Sequence, residues 1–159
     1  MKKRTLILVA ACAAAVLFAG HSLWAACESP DTITMENAAV KEHTKPIVEF
    51  SHKKHHAEYG EACGECHHND KGEPLSLKEG DCVKPCISCH EKASDMPREE
   101  KRGLRGLSPA ERRAKQLEYY VEAVHMNCID CHKKYNKEKG VRGARDGGAP
   151  ASCTECHAK

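Results

Sequence analysis

The apolar residues of this chain are unevenly spread, and their spacing divides it into segments. Lys2, Lys3 and Arg4 precede an uncharged, mostly apolar stretch from Leu6 to Gly20, followed by His21-Ser-Leu-Trp-Ala25-Ala26. A basic start, a short apolar run and small residues after it have the form of an export signal. Leu6 to Gly20 counts 15 residues, short of the roughly 18 or more of a membrane-spanning helix. Cleavage after Ala25 is therefore expected, with residues 1–25 the signal peptide and no membrane span left behind. Cys12 and Cys27 each follow two alanines, as lipid-acceptor cysteines do. Too short an apolar segment precedes Cys12, and a bulky Trp24 stands before the alanines at Cys27, so lipidation is not expected.

Residues 26–44 are polar and unpatterned and read as a surface arm, and residues 45–159 as the functional domain. Lys45-Pro-Ile-Val-Glu-Phe50 suits a short extended segment. Ser51 to Tyr59 carries His52, His55 and His56 at helical spacing and ends at Gly60, which predicts a short helix. Asn69 to Gly80 holds turn chemistry. The strongest helix signal runs from Ser108 to about Met126: Ser108 is the N-cap, Pro109 the first helical residue, and Glu111 completes a capping box. Leu117, Tyr120, Val121, Val124 and His125 fall on one stripe of that helix, which aims His125 at the interior. Lys133 to Arg145 reads as a basic, Gly-rich loop, either solvated or a docking patch. The fold class expected is mainly α with much irregular loop and little strand.

Composition changes that picture. A chain of 159 residues favours one domain, yet aromatics make up 4% and charged residues 30%. Two Phe and one Trp cannot fill an ordinary core, so something other than side chains must organise the interior. Eleven cysteines and eleven histidines point to covalent or metal chemistry. Removing residues 1–25 leaves 22 basic against 23 acidic side chains. That near-neutral balance, without basic residues interleaved with aromatics, excludes nucleic acid as an expected partner.

Cys63-Gly-Glu-Cys66-His67, Cys86-Ile-Ser-Cys89-His90, Cys128-Ile-Asp-Cys131-His132 and Cys153-Thr-Glu-Cys156-His157 repeat one pattern. Two thiols three residues apart share a turn and can add to the two vinyl groups of a haem as thioethers; the adjacent His then reaches the iron from one face. A zinc site has no need of His directly after the second Cys, and a dithiol redox motif calls for a βαβ context that is missing. Four covalently attached haem c groups are expected. Their proximal iron ligands are His67, His90, His132 and His157.

Each iron needs a sixth ligand. With His21 lost and four histidines proximal, His43, His52, His55, His56, His68 and His125 remain for four positions. Bis-histidine ligation throughout is then possible, which closes the irons to substrate and gives low-spin haems of low potential. Met35, Met96 and Met126 are assigned surface or packing roles. His67 and His68 are consecutive, and with adjacent Cα atoms about 3.8 Å apart they would put two irons within roughly 15 Å of each other. His52 and His55 share one face of a helical turn and could likewise serve two haems. His43 and His56 read as surface residues.

These residues resemble the class III cytochromes c, the tetrahaem cytochrome c3 family of sulfate-reducing bacteria, over roughly residues 48–157. The resemblance rests on Phe50-Ser-His52-Lys-Lys-His55, on Cys66-His67-His68, and on Tyr119-Tyr120 followed by His125. It implies that His52 is distal to the first haem, His68 to the second, His55 to the third and His125 to the fourth. Two residues separate the cysteines of every motif here, whereas the best-known members have four at the second and fourth. With the longer connection from Glu91 to Val124, that departure looks more like the acidic, type II branch. Cys82 is extra, available to a disulfide with Cys27 or to competition for haem.

The function expected is that of a periplasmic electron carrier and not an enzyme, taking electrons from a donor such as hydrogenase. It would pass them to a membrane redox complex or another multihaem cytochrome. A small multihaem reductase would require an open iron. A membrane-anchored quinol-oxidising cytochrome would require the N-terminal helix to be kept.

Overall fold

The structure, a computed structural model, describes residue 27 and residues 29–158. The export signal, Cys12 and His21 lie outside the described residues.

Among the described residues the buried apolar side chains are Met96, Tyr119 and Ala123, and the buried polar one is Asn136. The scarcity of Phe and Trp has the consequence the composition demands, since no side-chain core of ordinary size forms.

The polar arm contributes strand β1 (Ile33–Thr34), which pairs antiparallel with β2 (Glu49–Phe50), Ile33 opposite Phe50 and Thr34 opposite Glu49. The extended segment expected around Phe50 thus has a partner. His52 and His55 follow it directly. The short helix expected there contains a π-helical turn, Lys54–Glu58, and is closed by Gly60 at φ 76°. Four α-helices follow: α1 (Arg98–Gly103), α2 (Pro109–Gln116), α3 (Tyr120–Lys139) and α4 (Cys153–Cys156). The mainly helical, loop-rich architecture is the fold class expected.

Two boundaries differ from the sequence reading. The predicted helix from Ser108 to Met126 is two helices. Its start is as expected, with Ser108 and Glu111 forming a capping box, but α2 stops at Gln116 and α3 begins at Tyr120. Tertiary bonds draw the backbone between them away from helix: Lys92 N–H donates to Glu118 O at 3.1 Å, Tyr120 N–H donates to Lys92 O at 2.9 Å, and Leu117 O accepts from the His90 ring. The residues buried at this junction are accordingly Tyr119 and Ala123, off the predicted stripe, while His125 is exposed. The second correction concerns the basic loop. Lys133 to Lys139 is the end of α3, and the chain leaves the helix only at Gly140, whose φ of 69° closes it in the left-handed region.

Between the second and third motifs, α1 folds against the start of α3, and Arg113 of α2 pairs with Asp130 farther along it. Tyr119 Oη donates to Glu100 at 2.6 Å, Lys101 pairs with Glu122, and Lys92 Nζ stands 4.5 Å over the Tyr119 ring. Cys27 and Cys82 form a disulfide across a sequence separation of 55. By loop-closure entropy such a link is worth about 4 kcal/mol. It removes Cys82 from competition for haem. Among the described residues no helix is long and apolar enough to cross a membrane.

Candidate functional site

Each Cys-x-x-Cys-His segment closes a single turn. His67 N–H donates to Cys63 O at 2.9 Å, His90 N–H to Cys86 O at 3.0 Å, and His157 N–H to Cys153 O at 2.9 Å. The third motif lies within α3. One turn therefore presents both sulfurs and the imidazole together, as attachment to a single planar group requires. All eight motif cysteines, Cys63, Cys66, Cys86, Cys89, Cys128, Cys131, Cys153 and Cys156, are unpaired. Burial pushes the thiols of Cys66, Cys86, Cys131 and Cys156 up, and that of Cys128 up to about 11. Such surroundings favour neutral sulfur, thiol or thioether, over the thiolate that zinc takes. Among the described residues no three His, Cys, Asp or Glu side chains converge as a metal-holding group.

The histidines converge in twos. The ring centres of His52 and His67 are 6.4 Å apart, those of His55 and His132 6.1 Å, those of His68 and His90 6.0 Å, and those of His125 and His157 6.0 Å. An imidazole nitrogen sits about 2 Å from a first-row metal ion and about 1.1 Å from its own ring centre, so two imidazoles on opposite faces of one iron have centres roughly 6 Å apart. The residues fit haem iron on this measure. Every proximal candidate faces the distal candidate that the resemblance assigned to it.

The rings are also oriented, and their neutral tautomer selected, by backbone carbonyls. A carbonyl oxygen can only accept, so a ring nitrogen bonded to one carries a proton, and in the neutral tautomer the other nitrogen is then the one free to ligate. Nδ1 is so bonded in six of the eight rings. His52 donates to Pro30 O at 3.2 Å, His55 to Ser51 O at 2.9 Å, His68 to Asn69 O at 2.7 Å, and His90 to Leu117 O. His132 donates to Pro150 O at 2.6 Å and His157 to Pro46 O at 2.7 Å. Burial, with the His52 and His68 rings beside it, lowers the His67 pKa and favours its neutral, ligating form. Phe50 packs on the distal pair that follows it, with its ring centre 4.6 Å from that of His55 and 6.0 Å from that of His52.

His43 is exposed, as expected of a surface residue. His56 departs from that expectation. It is half-buried, with its ring 5.3 Å from that of His52, because the π-helical turn brings it round to the same cavity. Met96 is a packing residue and Met35 and Met126 are half-buried. The carbonyls that orient the rings were not foreseen from sequence. Three of the four distant ones belong to Pro30, Pro46 and Pro150, residues that cannot donate to a strand or helix ladder through their own nitrogen. That is the signal that could have marked them.

The sequence pattern of the class III cytochrome c family matches residues 29–157. The high-molecular-weight cytochrome c of Nitratidesulfovibrio vulgaris, strain Hildenborough, is 30% identical over 102 residues, which cover 64% of this chain and 13% of that protein. The chain thus spans a small part of the length of that relative. With four Cys-x-x-Cys-His turns, four facing imidazole pairs and a family match over nearly its whole described length, the chain belongs to the class III cytochrome c family of multihaem electron-transfer proteins, which hold c-type haem covalently.

Proposed function

We propose that this chain is a periplasmic, low-potential electron carrier that holds four haems, each iron bound between two imidazoles. The observation that carries the reading is the set of four imidazole pairs at 6.0–6.4 Å. Bound haem supplies a one-electron couple at each position, and imidazole on both faces keeps its potential below that of a His–Met site. The chain's own residues attach, orient and space these couples. His67, His90, His132 and His157 are the proximal ligands, and His52, His68, His55 and His125 the distal ones in the same order.

Neighbouring residues of the chain link the pairs. His67 and His68 are neighbours in the chain and join the first pair to the second. His52 and His55 flank the start of one helical turn and join the first pair to the third. His125 and His132 stand on α3 and join the third pair to the fourth. The Cys86–Ser88 turn of the second motif also contacts α3, so the pairs form a cluster and not a single row. A hydrogenase-like donor and a membrane redox complex or larger multihaem cytochrome suit such a cluster of couples.

A redox titration of the holoprotein followed by low-temperature EPR tests this reading. Four low-spin signals of bis-imidazole type and uptake of four electrons are expected. A high-spin iron in fully loaded protein, or a mass with fewer than four haems, would overturn it. N-terminal sequencing of the mature protein tests export, with Ala26 the expected first residue.

A further inference from the structure

The two cysteines outside the motifs are joined to each other, and what stands on either side of the bond gives it a role. Cys27 opens the polar arm. Ser29 Oγ lies 3.4 Å from His52 Nδ1, and Pro30 O accepts from the same nitrogen at 3.2 Å. Asp31 then clasps the neighbour of His52: its carbonyl accepts from Lys53 N–H at 3.1 Å and its carboxylate pairs with Lys53 Nζ at 3.2 Å. The arm thus runs along the His52 segment and supplies the bond that orients its ring.

Cys82 belongs to the opposite wall. Asp81 and Val83 on either side of it line the cavity shared by Pro30, His52, Cys63 and His67. That wall is itself braced, since Asp81 N–H donates to Lys78 O at 3.0 Å while Lys78 N–H donates to the Asp81 carboxylate at 2.7 Å. The disulfide, with its Cα atoms 5.1 Å apart, ties one wall of the cavity to the other. At 3.2 Å, the His52 bond is the longest of the six ring-to-carbonyl bonds, and its acceptor is held on one side by the Asp31 clasp and on the other by this bridge, three residues before Pro30.

We propose that the Cys27–Cys82 disulfide positions the axial imidazole of His52: by fixing the Pro30 carbonyl on Nδ1 it sets the electron-donating strength of that ring, and with it the potential of one haem of the four. The inference rests on the ligation proposed above. A hydrogen bond at Nδ1 makes the imidazole a stronger donor and favours ferric iron. Loosening the arm weakens that bond and raises the potential of the His52 haem, while the other three keep their own carbonyls.

Two preparations of the holoprotein test this. One is the C27S/C82S variant. The other is folded wild-type protein treated with a water-soluble phosphine and then alkylated, which does not depend on the variant maturing. The EPR signal of the His52 haem is identified by its conversion to a His–Met signature in His52→Met. In both preparations all four irons are expected to stay low-spin, with that one signal shifted and its midpoint raised. Four unchanged midpoints would overturn the proposal, as would shifts spread over several haems, which mean a general structural role. A wild-type spectrum without four bis-imidazole signals would overturn the ligation scheme, and this inference with it, before either preparation is measured.

Discussion

Asn136 grips Ala149 from both sides: its Nδ2 donates to Ala149 O at 2.8 Å while Ala149 N–H donates back to its Oδ1 at 2.7 Å. The next residue is Pro150, whose carbonyl accepts from His132 Nδ1. A side chain one turn beyond His132 on α3 therefore fixes the carbonyl that orients the His132 ring. Asn136→Ala removes both bonds and leaves a peptide group unpaired, at a cost of about 2–4 kcal/mol. Thermal unfolding of the holoprotein measures it. A loss under about 0.5 kcal/mol, within the range of an inert surface change, would show that the latch carries no weight.

The attachment motifs were legible in the sequence because thioether chemistry needs its residues within one turn, so the constraint is local. The distal partners were not, since nothing near His68 states that it will face His90. That pairing came from resemblance to a family, and the structure brings the same rings together. The acceptor carbonyls stayed hidden because backbone oxygens carry no residue signal and come from far away; His157 bonds to Pro46, 111 residues earlier. The break at Leu117 was hidden for the same reason, as the Lys92 strand-like contact that causes it is remote in sequence. The capping box at Ser108 and Glu111, a purely local device, was read correctly.

Gly64 stands between the cysteines of the first motif, where a Cβ would lie 2.8 Å from Leu75 O and 3.1 Å from Pro74 Cβ. The Leu75 amide donates to His67 O at 2.9 Å, so the obstacle is backbone already committed to the haem turn. Gly64→Ala should cost about 1–3 kcal/mol by overpacking. Glu65→Ala, at an exposed position, serves as the control and should be near neutral. Equal melting temperatures for the two variants would refute the steric reading.

The start of α2 should be sensitive to acid. The Ser108 hydroxyl, and then the Ser108 backbone N–H, hold the Glu111 carboxyl below the usual glutamate range. A carboxyl with a depressed folded pKa adds stability that is present above the unfolded value near 4.5 and is lost as pH falls through the folded value. Protection of the first-turn amides against hydrogen exchange should therefore fall as pH drops below about 4.5. Glu111→Gln should flatten that dependence. Ser108→Ala should destabilise at neutral pH by about 1 kcal/mol. A first turn equally protected at pH 3 and pH 6 would contradict the argument.

The ligand scheme makes its sharpest prediction at His125. This imidazole is exposed, stands on α3 three residues before Cys128, and faces His157 at 6.0 Å. Among the described residues no hydrogen bond to a carbonyl fixes its ring, so the helix holds it by position alone. His125→Ala should leave a single iron without its sixth ligand, giving one high-spin signal and binding one carbon monoxide per reduced protein. The other three irons should remain low-spin, because His52, His55 and His68 sit on segments other than α3. His43→Ala, which removes an exposed imidazole outside the four pairs, should bind none. Carbon monoxide uptake by ferrous protein measures both variants in one titration. Uptake by the His43 variant, or none by the His125 variant, would mean that the fourth iron takes its distal ligand from elsewhere.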